Sequence, residues 1–225
     1  MTFSIAARCG RTGAFGVAIS SSSPAVAARC AFVRPGTGAV CTQNITDPRL
    51  GPRLLHLLEL GVPSDQAVEQ VVRSEASIGY RQLTAVGLTG KPGSYTGEKA
   101  LGTFGSVVGT DSVAAGNLLA TPGVLDAMVS AFENDEATRM PRRLLNALKC
   151  GLAAGGEEGP VRSAGILVTH DAPWPVVDLR VDWTQADPIA ELAALLDMWE
   201  PQQDAYVQRG LAPAAAPAFG VPGDR

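Results

Sequence analysis

An α+β fold of four layers is what this sequence predicts: two mainly antiparallel sheets packed face to face, each covered outside by helices (αββα). Three observations carry that expectation. The hydrophobic period switches in blocks between 2 and 3.6 residues, so strands and helices alternate in groups. Neighbouring strands are joined by short glycine turns, which makes them hairpins and the sheets antiparallel. The helices come in pairs between the strand blocks, and two facing sheets with helices outside would bury every apolar face.

The elements follow in order. Phe3 to Arg8 and Ala14 to Ser20 read as a hairpin around the turn Gly10 to Gly13. Ser20-Ser21-Ser22-Ser23-Pro24 breaks it, Phe32 to Gly36 reads as another break, and Thr37 to Gln43 as a further strand. From Pro48 to Leu60 the period becomes helical, with Leu50, Leu54, Leu57 and Leu58 on one face and Gly61 as the stop. Ser64 is the expected cap of a second helix carrying Ala67, Val68, Val71 and Val72. Strands return over Tyr80 to Leu88 and Ser94 to Thr96, and a short one over Ser112 to Ala115 ends at Gly116-Asn117. Helices are expected over Gly123 to Phe132 and Pro141 to Ala154, the latter stopped by Gly155-Gly156. Ser163 to Thr169 and Val176 to Trp183 read as a strand pair, and Ile189 to Trp199 as a last helix after Asp187-Pro188. Residues 1–200 are expected to form one domain. Residues 201–225 are expected to be an Ala/Pro-rich tail, anchored by Tyr206 and Phe219 on the domain or on a neighbouring subunit of a homo-oligomer.

Bulk composition narrows the function. The 225 residues are 46% hydrophobic, enough for a full core, but only 5% aromatic and with 25 glycines, so close packing of small side chains is expected. The net charge of −4 comes without any basic block, which argues against a nucleic-acid partner. The four cysteines, Cys9, Cys30, Cys41 and Cys150, form no C-x-x-C pair and read as buried free thiols. With neither a signal-peptide pattern nor an apolar run of membrane-spanning length, a cytoplasmic protein with no membrane partner is expected.

The chemistry-bearing residues are few. No phosphate-binding loop, dinucleotide fingerprint, H-E-x-x-H or G-x-S-x-G pattern occurs. His56 sits within the leucine-rich helix and reads as structural, and His170 reads as a surface loop residue, so histidine-based triads and multi-histidine metal sites are not expected. No metal or cofactor is expected. A hydrolytic reaction would then need a base other than histidine, and Thr2 offers one. Once Met1 is removed, as a small second residue permits, Thr2 carries a hydroxyl nucleophile and a free α-amine that can take its proton. Polar segments ending strands supply further candidates: Ser20 to Ser23, Thr42-Gln43-Asn44 with amides able to donate to an oxyanion, and Gly116-Asn117, where Asn117 is a candidate substrate-binding side chain. Each also reads as an ordinary turn. Arg34 is the nearest early cation, of the kind that helps hold a terminal amine neutral.

The opening Thr2-Phe3-Ser4-Ile5-Ala6-Ala7-Arg8 resembles the start of the DUF1028 family, placed in the N-terminal nucleophile (Ntn) hydrolase superfamily. Agreement extends through Phe15-Gly16-Val17-Ala18, Thr42-Gln43-Asn44, Leu50-Gly51-Pro52-Arg53, Tyr80-Arg81-Gln82, Ala115-Gly116-Asn117-Leu118-Leu119 and Asp178-Leu179-Arg180-Val181-Asp182 to the tail at Pro217–Asp224. The resemblance implies the αββα sandwich and a nucleophile at the first residue of the first strand. It implies attack on a C–N bond through an acyl-enzyme, with Thr2 as nucleophile and amine base. By position it implies Ser21 and Arg34 as polar and cationic supports, and Gln43 and Asn44 near an oxyanion hole. One departure stands out. After Gly155-Gly156 many relatives carry an aspartate followed by basic residues, whereas this chain reads Glu157-Glu158-Gly159-Pro160. The expectation is an Ntn-type hydrolase of a small amide, ureide or cyclic amide. The alternatives are a non-catalytic small-ligand binder or a structural oligomer on the same fold.

Overall fold

The computed structural model describes residues 1–135 and 139–221. Part of the resemblance at the tail, residues 222–224, lies outside them.

Strands β1 (Thr2–Arg8) and β2 (Phe15–Ser21) form the expected hairpin, with Ile5 opposite Ala18. A short helix α1 (Val26–Cys30) and strand β3 (Ala31–Arg34) follow, both missed by the sequence reading. Next come β4 (Gly38–Asn44), helices α2 (Leu50–Glu59) and α3 (Ser64–Ser74), and strands β5 (Arg81–Gly87) and β6 (Gly93–Thr96). Strand β7 (Gly105–Val108), also unanticipated, leads to β8 (Ser112–Asn117). Helices α4 (Gly123–Glu133) and α5 (Met140–Ala153), strands β9 (Ser163–Thr169) and β10 (Pro175–Val181), and helices α6 (Pro188–Trp199) and α7 (Gln203–Leu211) complete the chain.

The strands make two antiparallel sheets. One has six strands in the order β10-β9-β2-β1-β8-β7, the other four in the order β3-β4-β5-β6. Helices α4, α5 and α6 cover the six-stranded sheet, and α2 and α3 cover the other. This is the αββα sandwich, and strand parity explains its layers. Phe3, Ile5 and Ala7 point from β1 into the helix-facing core with Phe132, Leu144 and Leu148. Ala6, Phe15, Val17 and Ile19 point the other way and meet Ala39, Cys41 and Val86 of the second sheet. A third cluster holds α2 and α3 on Val40, Leu83 and Ala85.

Local details depart from the sequence reading in instructive ways. Ser64 is the first residue of α3 and makes no cap bond; its hydroxyl donates to Thr89 O (3.1 Å) and accepts the Gly87 N–H (2.8 Å), tying the helix to β5 instead. Strand β8 runs through Gly116-Asn117 rather than stopping before them. Asp187 does cap α6, accepting the N–H groups of Ile189 (2.8 Å) and Ala190 (3.2 Å). The segment after Pro201, read as a tail, contains α7. It is held by stacking of Tyr206 on Trp199, with ring centroids 5.0 Å apart, and by Phe219 edge-on to Tyr206. Among the described residues no helix is long and apolar enough to cross a membrane.

Candidate functional site

Because β1 is a central strand, its first residue is flanked on both sides. Thr2 stands beside Ser21 at the end of β2 and directly opposite Asn117 at the end of β8. Thr2, Ser4, Ser21 and Asn117 share the face turned toward the second sheet. The hydroxyls of Thr2 and Ser21 both donate to the carbonyl oxygen of Met1, and the two oxygens lie 3.3 Å apart. The Ser23 N–H donates to Ser21 Oγ (3.0 Å), which fixes that hydroxyl's direction.

Across the layer, β4 and β5 answer with two glutamines in register, Gln43 opposite Gln82. Ser4 Oγ donates to Gln43 Oε1 (2.6 Å), and Gln43 Nε2 donates to Gln82 Oε1 (3.2 Å). The same Gln82 oxygen accepts Asn117 Nδ2 (2.8 Å), while Gln82 Nε2 donates back to Gly116 O (2.8 Å). Every member of this network is buried, so each bond offsets a desolvation cost that would otherwise oppose folding. One acceptor is left over: Asn117 Oδ1 is buried and has no partner.

A carboxylate closes the site from a third side. Glu157 is held by a bridge with Leu119, and both its oxygens accept the Ser22 N–H at 3.2 Å. Burial pushes its carboxyl up to about 7; the N-terminal ammonium and the bonds from Ser22 oppose that shift. A cleft of about 420 Å³ opens beside it, lined by Glu157, Gly159, Pro160, Arg162 and Gln185. The Met1 side chain lies along this region, its Cε 3.6 Å from where a Cβ on Gly159 would stand. Thr2 itself is 6% exposed.

Of the sequence candidates, Thr2, Ser21, Gln43 and Asn117 are therefore brought together. Asn44 is not turned into the cluster. It has φ 73°, and its side chain is engaged at a loop junction, donating to Tyr80 O (2.7 Å) and accepting the Leu101 N–H (3.2 Å). Arg34 sits at the opposite end of the sandwich. It pairs with Gly38, which is opposite Gly87, whose neighbour Leu88 accepts from Arg8 at the far end of β1. Its guanidinium binds Glu59 at 2.5 Å, so the cation expected beside Thr2 is not Arg34. His56 is exposed on α2, 3.8 Å from Glu59. Sequence reasoning missed Ser4, Gln82 and Glu157. Alternation from Thr2 gives Ser4, but the burial of Gln82 and Glu157 rests on contacts distant in sequence.

A family model described as a family of unknown function, DUF1028, matches residues 2–192. The chain belongs to the DUF1028 family. A crystal structure of a DUF1028 protein from Silicibacter pomeroyi is 31% identical to this chain, with a TM-score of 0.84, covering 92% of this chain and 90% of that one. Anbu from Hyphomicrobium sp. strain MC1 superposes with a TM-score of 0.43 at 12% identity, covering 97% of this chain and 100% of that one. Anbu from Yersinia bercovieri, an ancestral beta-subunit by its description, gives 0.39 at 11% identity over 88% and 97% of the two chains. Among curated proteins none matches. The DUF1028 match starts on Thr2 and ends within α6, so the Thr2 cluster and Glu157 all fall inside it.

Proposed function

We propose that this chain is an Ntn-type hydrolase of a small-molecule C–N bond in an amide, ureide or cyclic amide, with Thr2 as its nucleophile. The observation that supports this reading best is the convergence of the Thr2 and Ser21 hydroxyls on a single carbonyl oxygen at the end of a central strand. While the Met1–Thr2 bond is intact the Thr2 nitrogen is an amide and no base, so the reaction requires that bond to be broken. The freed amine then takes the hydroxyl proton as Oγ1 attacks the substrate carbonyl carbon, and an acyl ester forms on Thr2 as the amine product leaves. Water cleaves the ester, with the same amine as general base. Ser21 is the donor to the developing oxyanion, in the role it has toward the Met1 carbonyl. Gln43 and Gln82 hold Asn117 in place opposite the nucleophile. On this reading the protein works in the cytoplasm on a small molecule, as a homo-oligomer that light scattering on the purified chain would detect.

A second reading, a small-ligand binder without turnover, is favoured by one observation: with Met1 in place Thr2 is nearly buried and has no free amine. The two are separated by screening amides, ureides and cyclic imides on protein of verified intact mass, with Thr2→Ala alongside. Turnover by protein that begins at Thr2, abolished in Thr2→Ala, supports the hydrolase. Turnover by protein that retains Met1 sinks it, and ligand-induced thermal stabilisation without turnover supports the binder.

A further inference from the structure

Met1 is held at both ends. Its carbonyl oxygen accepts the Thr2 and Ser21 hydroxyls. Its thioether lies over Gly159, with Cε and Sδ 3.6 and 4.0 Å from where a Cβ on that glycine would stand. Apart from the chain neighbours of Gly159, nothing else comes within 4 Å of that point. A side chain at 159 would therefore meet the first residue and no packed part of the domain. Nor is Gly159 in the left-handed region, so its backbone does not require a glycine. What the missing side chain leaves is room for the end of Met1.

The wall that carries Gly159 is fixed in place. At the start of segment 156–162 the Ala120 N–H donates to Gly156 O (3.0 Å), the Glu158 N–H donates to Leu118 O (3.1 Å), and Glu157 bridges to Leu119. At its end the Arg162 N–H donates to Ser21 O (2.8 Å). Ser21 thus holds the loop with its backbone and the Met1 carbonyl with its side chain. Gly159 is shared with the cleft of about 420 Å³, whose lining includes the apolar Leu152, Pro160 and Val161.

An acyl group on the Thr2 hydroxyl would sit in nearly the same place. Intact Met1–Thr2 and a methionyl ester of Thr2 carry one acyl group on two atoms of one residue, the nitrogen and Oγ1. Those atoms flank the single Cα–Cβ bond, so the shift between them is short against the length of the methionyl chain. Resting on the hydrolase reading above, we propose that the seat of Met1 is the acyl subsite, that it takes the amide of an unbranched acyl chain of methionyl length, and that Gly159 sets that length. Hexanamide is the simplest such substrate. Thr2 Oγ1 bonds to its carbonyl carbon as the C–N bond breaks, and ammonia leaves with the hydroxyl proton. Water then cleaves the ester to hexanoate and restores the hydroxyl. A shorter chain leaves the Gly159 end of the seat empty, and a side chain at 159 fills it.

The test uses chain that begins at Thr2, verified by intact mass, and reads ammonia release from unbranched amides of increasing length. Wild-type kcat/KM for hexanamide is expected to exceed that for acetamide at least about tenfold. Gly159→Val is expected to lower hexanamide turnover at least about tenfold, with Gly159→Ala between, and to leave acetamide within about twofold. A folding defect would lower both amides alike. In parallel, hexanoate is expected to raise the melting temperature of the wild type more than that of Gly159→Val, and acetate to raise neither. A flat length profile, an equal loss for both amides in Gly159→Val, or turnover of ureides and cyclic amides alone would overturn the subsite while leaving Thr2 as nucleophile. Absence of turnover with every amide and ureide would remove the hydrolase and the acyl subsite together.

Discussion

Asn117 stands directly opposite Thr2 across the β1–β8 pair, donates its amide to Gln82, and keeps a buried Oδ1 with no partner. An unpaired acceptor next to a candidate nucleophile is a place for a substrate N–H. Asn117→Ala is expected to keep the fold within about 2 kcal/mol and to lower kcat/KM on a responsive amide about a hundredfold. Chemical denaturation and steady-state kinetics check the two halves, and an unchanged kcat/KM would remove Asn117 from the site.

Gln82 is the hub of the inter-sheet network. Gln82→Leu strands Gln43 Nε2, Asn117 Nδ2 and Gly116 O at once. The expected loss is roughly 2–5 kcal/mol of unfolding free energy, several times what an exposed substitution gives. Urea unfolding with an unchanged slope would measure it; a loss below about 1 kcal/mol would mean that the network is slack.

Glu157 makes stability depend on pH in a defined direction. Its carboxyl is raised from 4.5 to about 7 in the folded chain, so between those values the native state holds the proton more tightly than the unfolded state. Stability from this group is therefore full below about pH 4.5 and declines as pH rises through 7, by an amount on the order of 3 kcal/mol. Glu157→Gln should flatten that part of the profile. Melting curves from pH 5 to 8 on both proteins decide it, and parallel profiles would count against the assignment.

Arg34 is a negative control. It pairs with the half-exposed Glu59, far from Thr2. Arg34→Ala should change stability by no more than about 0.5–1 kcal/mol and leave turnover untouched. A large loss of kcat would return Arg34 to the site.

The order of layers was legible because hairpins with glycine turns and paired amphipathic helices announce themselves locally. What escaped is short or non-local. Helix α1 has only five residues and is entered through Ala25 at φ 50°, too brief for a period to show. Strands β3 and β7 have four residues each, and Arg34-Pro35-Gly36 masks the first as a break. Alanine and proline richness hid α7. In the site, Thr2, Ser21, Gln43 and Asn117 could be named from strand ends. The facing of Gln43 and Gln82 toward Ser4 and Asn117 depends on how one sheet is set against the other. Glu157 looks in sequence like half of a solvated acidic pair, and its bridge to Leu119 is what buries it.

Strand β1 carries Thr2 at one end, and Cys9 follows just beyond the other. Extended chain of that length separates them by about 23 Å. At an effective dielectric constant near 20, a unit charge at one end changes the energy of a unit charge at the other by less than about 1 kcal/mol before salt acts. The strand is thus an insulator as well as a scaffold. A charge added or removed at the Arg8 end, where Arg8 pairs with Asp111, therefore leaves Thr2 nearly undisturbed, and the two ends of β1 can be varied one at a time.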